Sequence, residues 1–203
     1  MNADSPKRAL LLVDFINLFE FEHAEKLAAR AVQAAERTAR LKERAAAAGI
    51  PCIYANDNFG HWRSEFSRLV KDCKERAGPA GEIARLLQPA PDDYAILKPR
   101  HSAFYGSPLE FLLDELGADS LIVTGLAADN CVFATAQDAY VRKFEVWVPS
   151  DCVAADTPEH EREALDHMRR TMKADVRPSD AIEAILSGSG PAATGRRAGR
   201  PRG

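Results

Sequence analysis

An α/β fold, with a mainly parallel six-stranded sheet and helices on both faces, follows from three features of the chain. Short apolar runs alternate with longer amphipathic stretches, the spacing of strand–helix–strand units. The runs Leu10-Leu11-Leu12-Val13 and Leu121-Ile122-Val123-Thr124 are continuous rather than alternating, as in strands covered on both faces. Gly49-Ile50-Pro51 separates a long helical stretch from the next apolar run, as a helix stop followed by a strand start requires.

Taken in order, strands are expected near 8–14, 50–56, 94–98, 119–125 and 144–149, with a short one near 173–177. Helices are expected near 23–48, 62–76, 80–88, 107–117, 130–142, 158–170 and 179–187. At 203 residues the chain suits one domain with a full-sized core, here placed at 1–187. Residues 188–203 differ in kind: Gly, Ala, Pro, Ser and Thr with four arginines and no acid, a composition expected to be disordered.

Composition narrows the function. Taking the four tail arginines from 27 bases, against 30 acids, leaves the folded body at net −7. That charge argues against a nucleic-acid partner, and the single Gly199-Arg200-Pro201-Arg202 is too short to supply many phosphate contacts. No run of about 18 apolar residues suggests a membrane span. Met1 to Arg8 lack an apolar signal core, so a cytoplasmic location is expected. Four scattered cysteines without a Cys-x-x-Cys pair fit a reducing compartment; Cys52 is expected in the core and Cys73 partly exposed. No Gly-x-Gly-x-x-Gly or Gly-Lys-Ser/Thr loop supports a dinucleotide or P-loop cofactor.

Chemistry gathers at the strand ends. The first strand ends in Asp14 and the third in Lys98. The fourth is followed by Gly125 and then, where a helix begins, Cys131. In an open α/β sheet the ligand crevice lies outside the strands' C-terminal ends, so a carboxylate, an ammonium and a thiol share one edge. A helix start also offers free N–H groups and a positive dipole end, which favour a thiolate and can hold an oxyanion. Cys152 also follows an apolar strand and is the rival nucleophile, but it lacks the glycine turn.

These residues resemble the Asp-Lys-Cys triad of the isochorismatase-like cysteine hydrolases, which include nicotinamidases, N-carbamoylsarcosine amidases and ureidoacrylate amidohydrolases. Lys98-Pro99-Arg100-His101-Ser102-Ala103-Phe104 is similar to that family's Lys-x-x-x-Ser-Ala-Phe segment. Gly125 through Val132, with Ala134-Thr135-Ala136 and Asp138-Ala139, is similar to its nucleophile segment, and Val148-Pro149-Ser150-Asp151-Cys152 to the strand and acid that follow. The resemblance spans about residues 7 to 186. It implies a three-layer Rossmann-like fold and a covalent mechanism without cofactor. Asp14 would deprotonate Cys131, Lys98 would keep Asp14 ionised and support the thiolate, and Cys131 would attack a carbonyl carbon. The resemblance also implies an oxyanion hole from the N–H groups of Ala127 and Cys131, with a cis peptide at Leu126–Ala127. Asp14 would then protonate the departing amine and activate the water that cleaves the thioester.

Two departures bear on the substrate. Nicotinamidases begin Asp-x-Gln-x-Asp-Phe, whereas Ile16 and Leu18 occupy the polar positions here. Phe59 stands where their metal motif has its first histidine, so no bound metal is expected. Candidate substrate-binding residues are Asn17 and Phe19 after the first strand, Asp57, His61, Trp62 and Arg63 after the second, and Phe104 and Tyr105 after the third. Arg63 or Arg100 could pair with a substrate carboxylate. The expected substrate is a small amide or carbamoyl compound. The alternatives are hydrolysis of an isochorismate-like vinyl ether, which needs no thiol, and a non-catalytic redox sensor. Val132, Phe133, Ala134, Ala136, Ala139, Tyr140 and Val141 fill more than one stripe of their helix, so a subunit contact is expected, and the resemblance implies a homodimer or homotetramer.

Overall fold

The computed structural model describes residues 7–22, 24–58 and 65–186. The expectations for His61, Trp62, Arg63 and the 188–203 tail lie outside those residues.

Each apolar run becomes a strand: β1 Arg8–Val13, β2 Cys52–Asp57, β3 Tyr94–Lys98, β4 Ser120–Leu126 and β5 Glu145–Trp147. The intervening helices are α1 Ala24–Ala47, α2 Phe66–Glu75, α3 Pro79–Leu86 and α4 Leu109–Leu116. After β4 come α5 Phe133–Val141 and, later, α6 Pro158–Thr171 and α7 Ile182–Leu186. Strand order is β3-β2-β1-β4-β5, every pairing is parallel, and β6 Val153–Ala154 pairs with β4.

The strand alternation divides the core into two layers. Ala9, Leu11 and Val13 of β1 face one cluster with α4, α5 and α6, whereas Leu10 and Leu12 face the other with α1 and α3. Among the described residues no helix is long and apolar enough to cross a membrane.

The order fixes where a site can form. The chain runs outward from β1 through β2 to β3, then returns to the other side of β1 with β4. Between β1 and β4 the direction of winding reverses, and a crevice opens there beyond their C-terminal ends. Asp14 follows β1 and Cys131 follows β4, so both stand at the switch point.

Three expectations are corrected. The segment near 173–177 makes only one bridge, Trp147 to Asp175, and the sixth strand is Val153–Ala154. Pro178 lacks an N–H for a ladder, and the Asp175 carboxylate is taken by Arg177, which bends the chain away. The helix expected to start at 130 instead starts at Ala128 as a single π-turn, Ala128–Val132, before α5. Cys73 is buried, not partly exposed, because α2 turns it into the layer beneath α1.

Candidate active site

Asp14 leaves β1 in the left-handed backbone region, φ +51°, a conformation that a short carboxylate side chain tolerates. Its N–H donates to the Ala55 carbonyl at 3.1 Å, and its Oδ1 accepts the Asp57 N–H at 2.7 Å. The carboxylate is thereby fastened to the end of β2. Lys98, the last residue of β3, is fully buried. Its Nζ stands 2.8 Å from Asp14 Oδ2 and 3.6 Å from the Asp57 carboxylate. The same nitrogen donates to the Arg100 carbonyl at 3.2 Å and to Cys131 Sγ at 3.6 Å. Cys131 sits half-buried in the π-turn, a local widening of the helix that recurs at functional positions. The structure thus brings Asp14, Lys98 and Cys131 into mutual contact.

Burial decides the protonation preferences. It pushes the Asp14 carboxyl above the ordinary range, and the Lys98 ammonium, though adjacent, only partly offsets this. Burial pulls Lys98 down, but Asp14, Cys131 and Asp57 together outweigh it and its affinity for the proton rises. The Cys131 thiol is pushed up to about 12, first by burial and then by the Asp14 carboxylate, with Lys98 opposing. One expectation changes accordingly: the helix start does not by itself yield a resting thiolate, because burial outweighs it. The resting sulfur is a thiol beside a carboxylate of enhanced basicity, an arrangement suited to proton removal as the sulfur attacks.

The motif residues around the triad are fasteners. Ser102 Oγ donates to the Asp138 carboxylate at 2.5 Å, and Thr135 Oγ1 accepts the Ala103 N–H at 3.0 Å. The loop after Lys98 is thus held against α5, the helix that continues from Cys131. Arg142 grips Asp138 at 2.6 Å and lies over the Phe104 ring, 4.9 Å from its centroid. On the other side, fully buried Asn56 donates from Nδ2 to the Ile16 carbonyl at 2.7 Å and braces the loop that begins at Asp14. Asn56 escaped the sequence reading; its only signal was a polar side chain inside a buried strand.

Of the other expected site residues, Asp57 touches the triad through its N–H and its carboxylate. Asn17 is buried, and its Oδ1 accepts the Phe19 N–H at 2.7 Å, which shapes the loop after β1. Phe19 packs on the core and tilts against Phe21 at 6.3 Å. Phe104 is placed in the core, packed on Phe144 at 5.8 Å, and does not line the crevice: tying Ser102 and Ala103 to α5 turns its ring inward. Tyr105 is exposed on the same turn. His101, by contrast, brings Nδ1 to 3.7 Å from Cys131 Sγ.

The oxyanion-hole expectation falls on the turn itself. The Leu126–Ala127 peptide is cis, and the Ala127 carbonyl accepts the N–H groups of Asn130 and Val132 at 3.0 and 3.2 Å. Cys152, the rival nucleophile, is fully buried beneath the Asp151–Ser179 hydrogen bonds, and burial pushes its thiol up to about 12. Among the described residues, Asp129, Asp156 and His160 form a surface group with the spacing of metal ligands. There His160 already pairs with Asp156 at 2.6 Å.

Comparison with known proteins gives the relatives of the whole chain. Residues 8–180 match the sequence pattern of the Isochorismatase domain. The uncharacterised isochorismatase family protein YaaI of Bacillus subtilis is 36% identical over 175 residues, covering 86% of this chain and 96% of its own. A probable isochorismatase of Pseudomonas chlororaphis is 32% identical over 167 residues, 80% of this chain and 79% of its own. The crystal structure of N-carbamoylsarcosine amidase from Thermoplasma acidophilum superposes with a TM-score of 0.68 at 30% identity, over 87% of this chain and 99% of that one.

Proposed function

The chain belongs to the isochorismatase family, and from that premise we propose that it is a cysteine hydrolase that cleaves a C–N bond of a small amide or carbamoyl substrate. The observation that carries this reading is the position of Lys98 Nζ, 2.8 Å from the Asp14 carboxylate and 3.6 Å from Cys131 Sγ. A buried ammonium between a basic carboxylate and a thiol is built to move one proton and hold one negative charge.

The reaction proceeds in two halves. As Sγ attacks the carbonyl carbon, its proton passes to Asp14. The oxyanion is held by the N–H groups of Ala127 and Cys131 at the start of the π-turn. Asp14 returns the proton to the nitrogen as the C–N bond breaks, leaving a thioester on Cys131. Water cleaves the thioester and frees the acid. Proton transfer of this kind contributes about 10²–10⁴-fold in rate. No step needs a metal or an organic cofactor. Asp57, Asn17, Phe19 and Tyr105 remain the residues proposed to shape the substrate cleft, in a cytoplasmic homo-oligomer.

The vinyl ether alternative has support in the probable isochorismatase relative, but that reaction leaves the Lys98–Cys131 contact unused. The redox-sensor alternative is favoured by thiolate character, which burial of this sulfur opposes. The test is a screen of small amides, ureas and carbamates for ammonia release, repeated with Cys131→Ala. Turnover should vanish in a variant whose circular dichroism and melting match the parent. A variant retaining more than a tenth of the rate would end the covalent mechanism.

A further inference from the structure

We propose that His101 is the specificity-determining residue of this site: its Nδ1 accepts the N–H that stays on the acyl group, so the enzyme takes ureas ahead of carboxamides of the same shape. The inference rests on the covalent reading above and narrows its substrate class. His101 moves no proton, and Asp14 remains the base of both halves.

Its ground is the division of space around the sulfur. Among the described residues, the polar side chains that meet Sγ are Lys98 with Nζ at 3.6 Å, Asp14, and His101 with Nδ1 at 3.7 Å. Lys98 is fully buried and Asp14 about 5% exposed, so both lie on the interior side. His101 is exposed and stands on the open side. A carbonyl carbon that bonds to Sγ carries three other groups. The nitrogen to be expelled must face Asp14, which protonates it. The oxygen must face the N–H groups of Ala127 and Cys131. The group that stays on the carbon is left with the open side. Its first atom, two bonds from Sγ, meets the His101 ring.

The chemistry of that atom follows from what Nδ1 can do. Sγ already receives a hydrogen bond from the Lys98 ammonium and donates its own proton toward Asp14. It needs nothing from the imidazole, which leaves Nδ1 as an acceptor with the ring proton on Nε2. An acceptor there favours an N–H on the retained atom. A urea has one, a carboxamide has a methylene instead, and a carbamate ester has an oxygen whose lone pairs oppose Nδ1.

The position is also held. Ser102, the next residue, is tied to Asp138 and also receives the Phe104 N–H on its Oγ at 3.2 Å, and Ala103 is tied to Thr135. The backbone that presents the imidazole is therefore fastened to the helix that continues from the nucleophile. Selection by one hydrogen bond requires such a fixed direction.

The test uses the full chain and three compounds of one shape, methylurea, propionamide and methyl carbamate, each of which releases ammonia. They differ only in the atom retained beside the carbonyl. Comparing variants rather than compounds cancels their unequal intrinsic reactivity. His101→Ala should lower the ratio of kcat/KM for methylurea to that for propionamide by about tenfold, the effect of one hydrogen bond. The ratio of methyl carbamate to propionamide should rise, because the variant removes the lone pair that faces the ester oxygen. His101→Asn, whose Oδ1 can stand in for Nδ1, should restore the methylurea ratio, which a merely structural role would not allow. A methylurea ratio within about twofold of wild type in His101→Ala, a methyl carbamate ratio that does not rise, an asparagine variant no better than alanine, or a wild type that cleaves propionamide but not methylurea would overturn the role of His101 while leaving the covalent reading intact. No ammonia from any of the three with wild type would remove the amide-hydrolase reading itself.

Discussion

Gly125 of β4 stands so close to Val13 of β1 that a Cβ added to it would lie 2.1 Å from the Val13 carbonyl oxygen and 2.8 Å from the Val13 nitrogen. This contact is backbone on backbone, so no rotamer change relieves it. It also lies one residue before Asp14 and six before Cys131. The approach of the two central strands therefore sets the separation of the base and the nucleophile.

Gly125→Ala should consequently damage both stability and activity. Its φ of +132° already lies in a region that side chains avoid, and the methyl group must part β1 from β4. A loss of about 3 kcal/mol or more is expected, at or beyond the upper end of ordinary overpacking. Urea unfolding and steady-state kinetics on the same sample check it. An alanine variant with wild-type melting and turnover would show that the strands do not set the site.

The strand-end chemistry was legible in the sequence because continuous apolar runs ended in Asp14 and Lys98 and were followed by Gly125 and Cys131. The switch point was not legible, since nothing local in β3 or β4 states that the chain jumps back across β1. Pocket residues fared less well. Phe104 read as a lining residue by its place after β3, but the Ser102 and Ala103 bonds to α5 rotate it into the core. His101 read as one loop residue among several, because its approach to Cys131 depends on two segments 30 residues apart. The thiol's protonation preference was missed for a similar reason: burial outweighs the helix start, and burial is a property of the assembled fold.

Asp14→Asn should separate nucleophilicity from turnover. The Asp14 carboxylate, after burial, holds the Cys131 thiol up near 12, while Lys98 pulls it down. Removing the carboxylate leaves the ammonium unopposed, so the thiolate fraction at pH 8 should rise. Iodoacetamide should then alkylate Cys131 faster than in wild type, by roughly tenfold for each unit the pKa falls, although amide hydrolysis is lost. In wild type the alkylation rate should keep climbing from pH 8 to 10. Slower alkylation in the variant would contradict the charge assignment.

Lys98→Met should cost activity and stability together. Its ammonium is fully buried against Asp14, with Asp57 near, so its removal strands a buried carboxylate. A turnover loss of about 10²–10⁴-fold and a stability loss of about 3–5 kcal/mol are expected at pH 7. Because the folded pKa is raised, the stabilisation is complete below the unfolded lysine value of about 10.4 and fades as pH rises through the folded one. Pairing the change with Asp14→Asn should recover much of the stability and none of the turnover. A double variant no more stable than Lys98→Met would deny the coupling.

Activity should survive exhaustive dialysis against a chelator. The carboxylates of Asp14 and Asp57 both face the Lys98 ammonium, and a divalent cation would have to displace that charge to use them. Ammonia release before and after dialysis, with zinc and manganese added back, measures this. Activity lost and then restored by a metal would place a ligand set beside the triad and return nicotinamide to the candidate substrates.

The protein should self-associate through the face that carries α4 and α5. Of the apolar residues that crowd α5, Ala136 and Ala139 cover the core, but Val141 remains 63% exposed and Tyr140 40%. Phe111 of α4 is 73% exposed, and the Arg142–Glu110 ion pair at 3.1 Å links the end of α5 to α4. Large apolar side chains exposed on adjacent helices are what a subunit contact covers. The 188–203 tail has no apolar stripe to add to it. Sedimentation of the full chain at micromolar concentration should give a dimer or tetramer, as should a chain ending at Ser187. Phe111→Lys with Val141→Lys should yield a folded monomer. A monomeric parent, or an oligomer indifferent to both lysines, would place the contact elsewhere or nowhere, and dissociation of the shortened chain would give the tail a part in assembly.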